Sequence, residues 1–330
     1  EEPKVLSIDD AAPPIATAEW ALGEPIAEMQ PGQVYVVEFW ATWCGPCLAS
    51  MPHISRLQEK YGDQVTFIGV TREDAETVNG FLARERMAGG QTWRELLQYR
   101  LALDAEGATN AAYMRAARQS GIPTAFLVGR DGKLEWIGHP MSIDTPLAKV
   151  VSGEWDRAAA VAEFQKDQAF KSLMMTLNGL ARAKEWDAAL EAINESEVTH
   201  GPGPRLTSVR MAVLQLAGRA EERAALEPIY VQQIWNDSDL LNQFAWRTAT
   251  TKGERNLDLA LKAAQRGVEL TQQEDASILD TLARVQFERG SVDEAIATQR
   301  LAVKLNGGAN PEIDETLKAY EEAAAKPKPE

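Results

Sequence analysis

The sequence is poor in cysteine and histidine, with two cysteines and three histidines among 330 residues. A small fold held together by disulfides needs several cysteines spread along the chain, so that class of protein is excluded. Structural zinc needs about four ligands. His53, His139 and His200 are scattered, so no metal site is expected. Both cysteines, Cys44 and Cys47, lie in one four-residue motif, which points to redox chemistry.

Long apolar runs and blocks of positive charge are also lacking. No run of ~18 apolar residues is present, so no segment of this sequence is expected to cross a bilayer. Acidic residues outnumber basic residues by 49 to 34, which gives a net charge of −15. Without a basic block that could neutralise phosphates, nucleic acid is not an expected partner, and neither is an anionic membrane surface.

The first part of the chain, residues 1–150, has the pattern of an α/β domain. Apolar, β-rich runs alternate with helical segments and then end in a hairpin. This order predicts a mixed central sheet flanked by helices. The predicted strands are 34–40, 65–70, 99–104, 124–128 and 133–137, and the predicted helices are 44–61, 74–86, 93–98 and 108–119.

Residues 151–325 are predicted to form an all-α helical-repeat domain, because strand-like runs disappear and helical periodicity takes over. Alanines recur at spacings of 36, 35 and 35 residues, at Ala189, Ala225, Ala260 and Ala295. The spacing is close to the 34 residues of tetratricopeptide repeats. The last two units resemble that family and the first two match it poorly, so an irregular helical bundle stays open. Residues 326–330 are predicted to be disordered.

The two-cysteine motif supplies what thiol–disulfide exchange requires. A helix is predicted to begin at Cys44, where unpaired N–H groups and the helix dipole stabilise a thiolate. Cys47 lies one helical turn later and is close enough to form a disulfide with it. Gly45 removes bulk beside the nucleophile, and the fixed φ of Pro46 suits the first turn of a helix. The alternative is a pair of structural buried thiols.

Residues 39–47, with the sequence FWATWCGPC, are similar to the active-site segment of thioredoxins. They resemble even more closely the exported TlpA/ResA-like thiol–disulfide oxidoreductases of the thioredoxin superfamily. The resemblance covers roughly residues 5–150. Pro52 matches the proline inside the active-site helix, and residues 121–124 look like the cis-proline loop that faces the cysteines.

The resemblance implies roles for particular residues. Cys44 would attack a substrate disulfide and Cys47 would resolve the mixed disulfide. The surface that binds substrate would comprise Trp43, Gly45, Pro46, Ile122 and Pro123, with the backbone of Ile122 pairing with a substrate strand. No cofactor is implied.

Glu38 lies six residues before Cys44, inside a strand with apolar neighbours. Thioredoxins carry a buried Asp at the corresponding place, which is thought to move protons for the second cysteine. Burial raises the pKa of a carboxyl group towards neutrality, which suits proton exchange with Cys47. The alternative is that Glu38 faces a polar edge or a basic partner.

The expected function is reduction of protein disulfides. The Gly45-Pro46 dipeptide matches thioredoxin, whose potential is about −270 mV, whereas oxidants of the DsbA type lie at about −120 mV. The resemblance implies an exported, periplasmic protein, recharged by a membrane thiol-transfer protein. The helical domain is expected to bind a protein or peptide.

Other functions remain open on the sequence alone. A peroxiredoxin would carry Pro and Thr or Ser seven and three residues before its cysteine, and these positions hold Val37 and Ala41. That function is therefore disfavoured. A disulfide oxidase or isomerase stays possible, as does a scaffold protein whose redox centre is secondary.

Overall fold

The structure, a computed structural model, describes residues 5–17, 19–104, 106–253 and 255–325. Contacts divide the chain into two compact units, one ending at Gln168 and the other beginning at Ala169. The residues predicted to be disordered, 326–330, lie outside the described part of the chain. No helix in the described part is both long enough and apolar enough to cross a membrane.

The first unit is built on a mixed sheet whose strands, within the described residues, lie in the order β1-β4-β3-β2-β5-β6. Strands β2, β3 and β4 run parallel, whereas β1, β5 and β6 pair antiparallel with their neighbours. The strands are β1 (Glu19–Leu22), β2 (Val34–Phe39), β3 (Val65–Thr71), β4 (Arg100–Leu103), β5 (Thr124–Val128) and β6 (Leu134–Gly138).

Helices cover both faces of this sheet, which confirms the predicted mixed sheet flanked by helices. One face packs against side chains of α1, α2 and α5, and the other against residues of the segment 111–117 and the start of α6. The helices are α1 (Gly45–Tyr61), α2 (Ala75–Leu82), α3 (Trp93–Leu96), α4 (Ala108–Asn110), α5 (Asp144–Ser152) and α6 (Arg157–Ala183).

Three predicted helices are shorter than expected, and one of them is α3, which ends at Leu96. Helix α2 ends at Leu82 because the following residues turn back on themselves, with Glu85 and Thr92 forming a bridge. The predicted helix 108–119 is α4 followed by a π-helical turn, Ala111–Arg115. The short edge strand β1 was not predicted. These features depend on local turns that hydrophobic periodicity does not record.

The first unit extends beyond the predicted boundary at residue 150. Arg157, in the first turn of α6, forms ion pairs with Glu135 of β6 and with Asp131 and Asp9. Ala160, Val161 and Phe164 pack against the face of the sheet that is opposite α1. These contacts attach the start of α6 to the α/β unit, so the division falls within that helix.

The second unit is helical throughout its described residues, as predicted. Neighbouring helices pack in pairs, α8 with α9, α10 with α11 and α12 with α13, and α14 follows on α13. After α6, the helices are α7 (Trp186–His200), α8 (Pro204–Leu216), α9 (Ala220–Gln233), α10 (Ser238–Thr250), α11 (Leu257–Leu270), α12 (Ala276–Glu288), α13 (Val292–Asn306) and α14 (Pro311–Ala325).

The four recurring alanines do not have equivalent environments. Ala189, Ala260 and Ala295 are completely buried, whereas Ala225 on α9 is exposed. Close packing is strongest in the later helices, where a Cβ added at Gly267 would lie 3.2 Å from Cγ2 of Ile278. Ala225 on α9 therefore departs from the burial that the other three alanines share.

Candidate active site

Strand β2 and helix α1 together position the two cysteines. All six residues of β2 are buried, and the chain leaves the sheet after Phe39 to enter α1 at Gly45. Val34, Val36 and Trp40 belong to the core on the α1 side, whereas Tyr35, Val37 and Phe39 belong to the opposite core. By this alternation Glu38 faces the same side of the sheet as the cysteines.

Cys44 and Cys47 are joined by a disulfide. Cys44 is the N-cap residue of α1, and its Sγ accepts a hydrogen bond from the backbone N–H of Cys47 at 3.2 Å. This N–H group, together with the positive end of the helix dipole, stabilises a thiolate at Cys44 after reduction. Pro46 lies in the first turn of the helix, as predicted from its fixed φ.

The two cysteines differ in their surroundings. Cys47 is completely buried and Cys44 has 4% of its surface exposed, but the residues that flank Cys44 are exposed. Trp43 has 75% of its surface exposed. Gly45 and Pro46 are also exposed, and a Cβ added at Gly45 would meet no atom within 4 Å. Cys44 is therefore the cysteine that lies next to the protein surface.

The loop before β5 lies against the sulfur of Cys44. The carbonyl oxygen of Ile122 is 3.7 Å from Sγ of Cys44, and the Ile122–Pro123 peptide bond is cis. The hydroxyl of Thr124 donates a hydrogen bond to the carbonyl of Gly121 at 2.7 Å, which closes the loop. Strand β5 pairs with β2, so the sheet brings Ile122 and Cys44 together.

Glu38 is buried in the core, with 1% of its surface exposed. Burial raises the pKa of its carboxyl group to about 7, and a hydrogen bond from the hydroxyl of Tyr99 acts in the opposite direction. Oε2 of Glu38 and Nε1 of Trp40 have no hydrogen-bond partner within the described residues. The lack of a second donor favours the protonated carboxyl group near neutral pH.

Glu73 was not predicted to lie at this site. Its carboxylate accepts hydrogen bonds from the backbone N–H and from the hydroxyl of Thr42, each at 2.7 Å. Thr42 lies in the loop that leads to Cys44. Glu73 follows β3 directly, and β3 is parallel to β2, so the carboxyl ends of both strands meet here. In a parallel sheet, functional side chains collect at this edge, so the position of Glu73 after β3 is the sequence signal that indicates its role.

Tyr99 was likewise missed as a partner of Glu38. It precedes β4, which lies two strands away from β2, and its ring belongs to the same core as the cysteines.

His53 and His139 do not belong to the predicted site, and each contacts a neighbouring segment of the fold. The His53 ring contacts Asp144 at 2.8 Å, and His139 caps the turn Pro140–Ser142.

A Cys-x-x-Cys pair at the start of the helix that follows a central strand defines a thioredoxin-like thiol–disulfide oxidoreductase. Comparisons with known proteins agree. Residues 25–151 match the Redoxin family. Protein FixW of Rhizobium leguminosarum is 30% identical over 202 residues, a match that covers 58% of this chain and 90% of FixW.

Two further matches are more distant. The thiol-disulfide oxidoreductase ResA of Bacillus thuringiensis is 28% identical over 105 residues, or 31% of this chain and 53% of ResA. A secreted Mycobacterium tuberculosis disulfide oxidoreductase homologous to E. coli DsbE is 24% identical with a TM-score of 0.29. That match covers 37% of this chain and 83% of the solved chain. The chain belongs to the Redoxin-type thiol–disulfide oxidoreductases, and its redox couple is Cys44–Cys47.

Proposed function

We propose that this protein reduces disulfides in other proteins, with Cys44 as the attacking thiol and Cys47 as the resolving thiol. The observation that carries this assignment is the difference in the surroundings of the two cysteines. Cys47 is completely buried, whereas Cys44, with 4% of its surface exposed, lies between exposed Trp43 and exposed Gly45. Cys44 also lies at the helix N-terminus, where a thiolate is stabilised.

The reaction proceeds in two exchanges. The Cys44 thiolate attacks one sulfur of the substrate disulfide, which breaks that bond and releases the other sulfur as a thiolate. Cys47 then loses its proton and attacks Sγ of Cys44. The substrate leaves as a dithiol, and the enzyme keeps the Cys44–Cys47 disulfide. Two electrons have passed from the cysteine pair to the substrate.

Glu38 is proposed to accept the proton of Cys47. It lies on the cysteine side of β2, and burial raises the pKa of its carboxyl group to about 7. A base with a pKa near the working pH can both take and return a proton. We propose that the substrate contacts the residues around Cys44, which are Trp43, Gly45, Pro46, Ile122 and Pro123.

Further proposals concern the setting of this reaction. The Gly45-Pro46 dipeptide supports a reducing couple, and the resemblance to TlpA/ResA-like proteins supports a location outside the cytoplasm. A membrane thiol-transfer protein would then supply electrons to the oxidised enzyme. We also propose that the second unit, with its tetratricopeptide-like pairs α10/α11 and α12/α13, binds a protein or peptide. Exposed Trp246 on α10 supports that role.

The central test compares the wild type with Cys44→Ser and Cys47→Ser in reduction of insulin by dithiothreitol. Cys44→Ser should fall to the uncatalysed rate. In a separate reaction without dithiothreitol, reduced Cys47→Ser should accumulate a mixed disulfide with insulin through Cys44, visible on a non-reducing gel. Activity of Cys44→Ser equal to the wild type would contradict the proposal. Titration against glutathione buffers tests the direction, since a potential of about −120 mV would indicate an oxidase.

A scaffold is the second candidate, favoured by the size of the helical unit. Trapping with Cys47→Ser separates the two functions in the full-length chain. A reductase should capture proteins through a disulfide that dithiothreitol releases. A scaffold should retain the same proteins when both cysteines are replaced by serine. Substituting Trp246→Ser should reduce capture of native partners while leaving insulin reduction unchanged.

A further inference from the structure

The loop that carries the nucleophile is tied to the neighbouring strand by one side chain. Oε2 of Glu73 accepts a hydrogen bond from the backbone N–H of Thr42, and Oε1 accepts one from the Thr42 hydroxyl, both at 2.7 Å. Both carboxylate oxygens are therefore engaged by the same loop residue. Two hydrogen bonds of this length from one residue fix Thr42 against the end of β3.

Glu73 is itself held at the end of β3. The hydroxyl of Thr71 donates to Oε2 of Glu73 at 3.3 Å, and the backbone N–H of Glu73 donates to Oγ1 of Thr71 at 3.3 Å. Thr71 is buried and pairs with Leu103 of β4 in the sheet. The Glu73 carboxylate thus connects the loop to the end of β3, which the sheet holds in place.

Backbone hydrogen bonds hold the two ends of the loop, and Glu73 holds the residue between them. At one end the N–H of Trp40 donates to the carbonyl of Val70, and at the other the N–H of Cys44 donates to the carbonyl of Ala41, both at 3.1 Å. Thr42 lies between these two points. Its attachment decides how Cys44, two residues later, is presented to Cys47.

Firm positioning of Cys44 beside Cys47 favours formation of their disulfide. A couple whose disulfide form is favoured has a lower reduction potential and is more reducing.

We propose that Glu73 is a positioning residue for Cys44, which fixes the β2–α1 loop through Thr42 and keeps the cysteine couple reducing. The inference rests on the proposed function, because it concerns the presentation of Cys44 as the attacking thiol. Glu73 itself does not touch the substrate or the sulfurs.

The test measures the equilibrium of the full-length protein with glutathione buffers. Glu73→Gln keeps one carbonyl oxygen and removes the charge, and Glu73→Ala removes both acceptors. Both should make the couple more oxidising, and Ala more so than Gln. We expect roughly a tenfold change in the equilibrium constant for Ala, or about 30 mV.

Asp74→Ala is the matched control. Asp74 is the next residue, and its side chain only caps α2 by accepting a hydrogen bond from the N–H of Thr77 at 2.8 Å. It should lower the free energy of unfolding and leave the potential unchanged. Thr42→Val, which removes the hydroxyl alone, should shift the potential in the same direction, and its effect should not add to that of Glu73→Ala.

Two outcomes overturn the inference. One is a potential in Glu73→Ala equal to that of the wild type. The other is an equal shift in Asp74→Ala, which would indicate a general effect of lost stability. Failure of the proposed function looks different, because Cys44→Ser would then keep insulin reduction. The glutathione equilibrium of Glu73→Ala is measured without any protein substrate and does not depend on that result.

Discussion

The hydroxyl of Tyr99 donates a hydrogen bond of 2.8 Å to Oε1 of Glu38, and both residues are buried beneath the redox-active cysteines. The two groups influence each other in opposite directions. The hydrogen bond lowers the pKa of Glu38 against the larger effect of burial. Burial and the nearby carboxylate raise the pKa of Tyr99 well above its usual value. Tyr99 therefore stays protonated and remains a donor.

Glu38→Gln should remove a pH dependence of stability. The pKa of Glu38 is raised from 4.5 to about 7 in the folded protein. The folded state then binds the proton more tightly, so this group stabilises the fold below about pH 4.5 and its contribution is lost as the pH rises through 7. The loss amounts to roughly 3 kcal/mol. Denaturant unfolding of the oxidised protein at pH 5 and pH 8 measures it. An equal pH dependence in both proteins would contradict the raised pKa.

Tyr99→Phe should move resolution of the mixed disulfide to higher pH. Without the hydrogen bond, which favours the carboxylate, the pKa of Glu38 rises further above 7, and more alkaline solution is needed to ionise it. Single-turnover release of substrate from the mixed disulfide, measured from pH 6 to pH 9, reports the shift. Tyr113→Phe is the control, because Tyr113 is buried on the opposite face of the sheet and donates to the carbonyl of Pro13. A shift to lower pH in Tyr99→Phe would refute the assignment.

Trp43→Ala should weaken substrate binding without affecting the fold. The side chain is 75% exposed, so its removal should change the free energy of unfolding by no more than about 0.5 kcal/mol. Loss of an aromatic contact surface should raise KM for insulin several-fold while kcat changes little. Steady-state kinetics and denaturant unfolding provide the two measurements. Trp235→Ala in the helical unit, also exposed, is the control and should leave KM unchanged.

Arg157→Ala should destabilise the first unit. Arg157 donates to Oε2 of Glu135 at 2.7 Å and to Asp131 at 2.8 Å, and Glu135 is buried. Removing the cation leaves a buried carboxylate without its partner, at a cost of about 3 kcal/mol. Amide exchange in β5 and β6 should become faster. Arg219→Ala, which loses only surface ion pairs with Glu222 and Asp187, should have little effect.

Ala295→Leu should destabilise the helical unit, whereas Ala225→Leu should not. Ala295 is completely buried between helices, and overpacking such a site costs about 1–3 kcal/mol. Ala225 occupies the corresponding position in the 35-residue spacing and is exposed on α9. Thermal unfolding of the two variants compares them directly. Equal destabilisation would contradict the difference in burial between Ala295 and Ala225.

Local sequence patterns predicted much of the fold and of the candidate site. The near-continuous apolar run of β2 placed Glu38 among buried neighbours, and the motif from Trp43 to Cys47 placed a helix N-terminus at Cys44. Strands and helices of ordinary length follow from hydrophobic periodicity. The π-helical turn Ala111–Arg115 and the early end of α2 do not follow from it, because both depend on turns whose hydrogen bonds lack a periodic signature.

The sequence by itself determined that thiol–disulfide exchange is the expected chemistry, since its two cysteines lie one helical turn apart and it offers too few other ligands for a metal site. Only the tertiary structure decided which groups tune that chemistry. Ile122 lies 78 residues from Cys44, Tyr99 lies 61 residues from Glu38, and Glu73 lies 31 residues from Thr42. Each pair meets because of strand order in the sheet and the direction of a buried side chain. Those are properties of the whole sheet that no short segment contains.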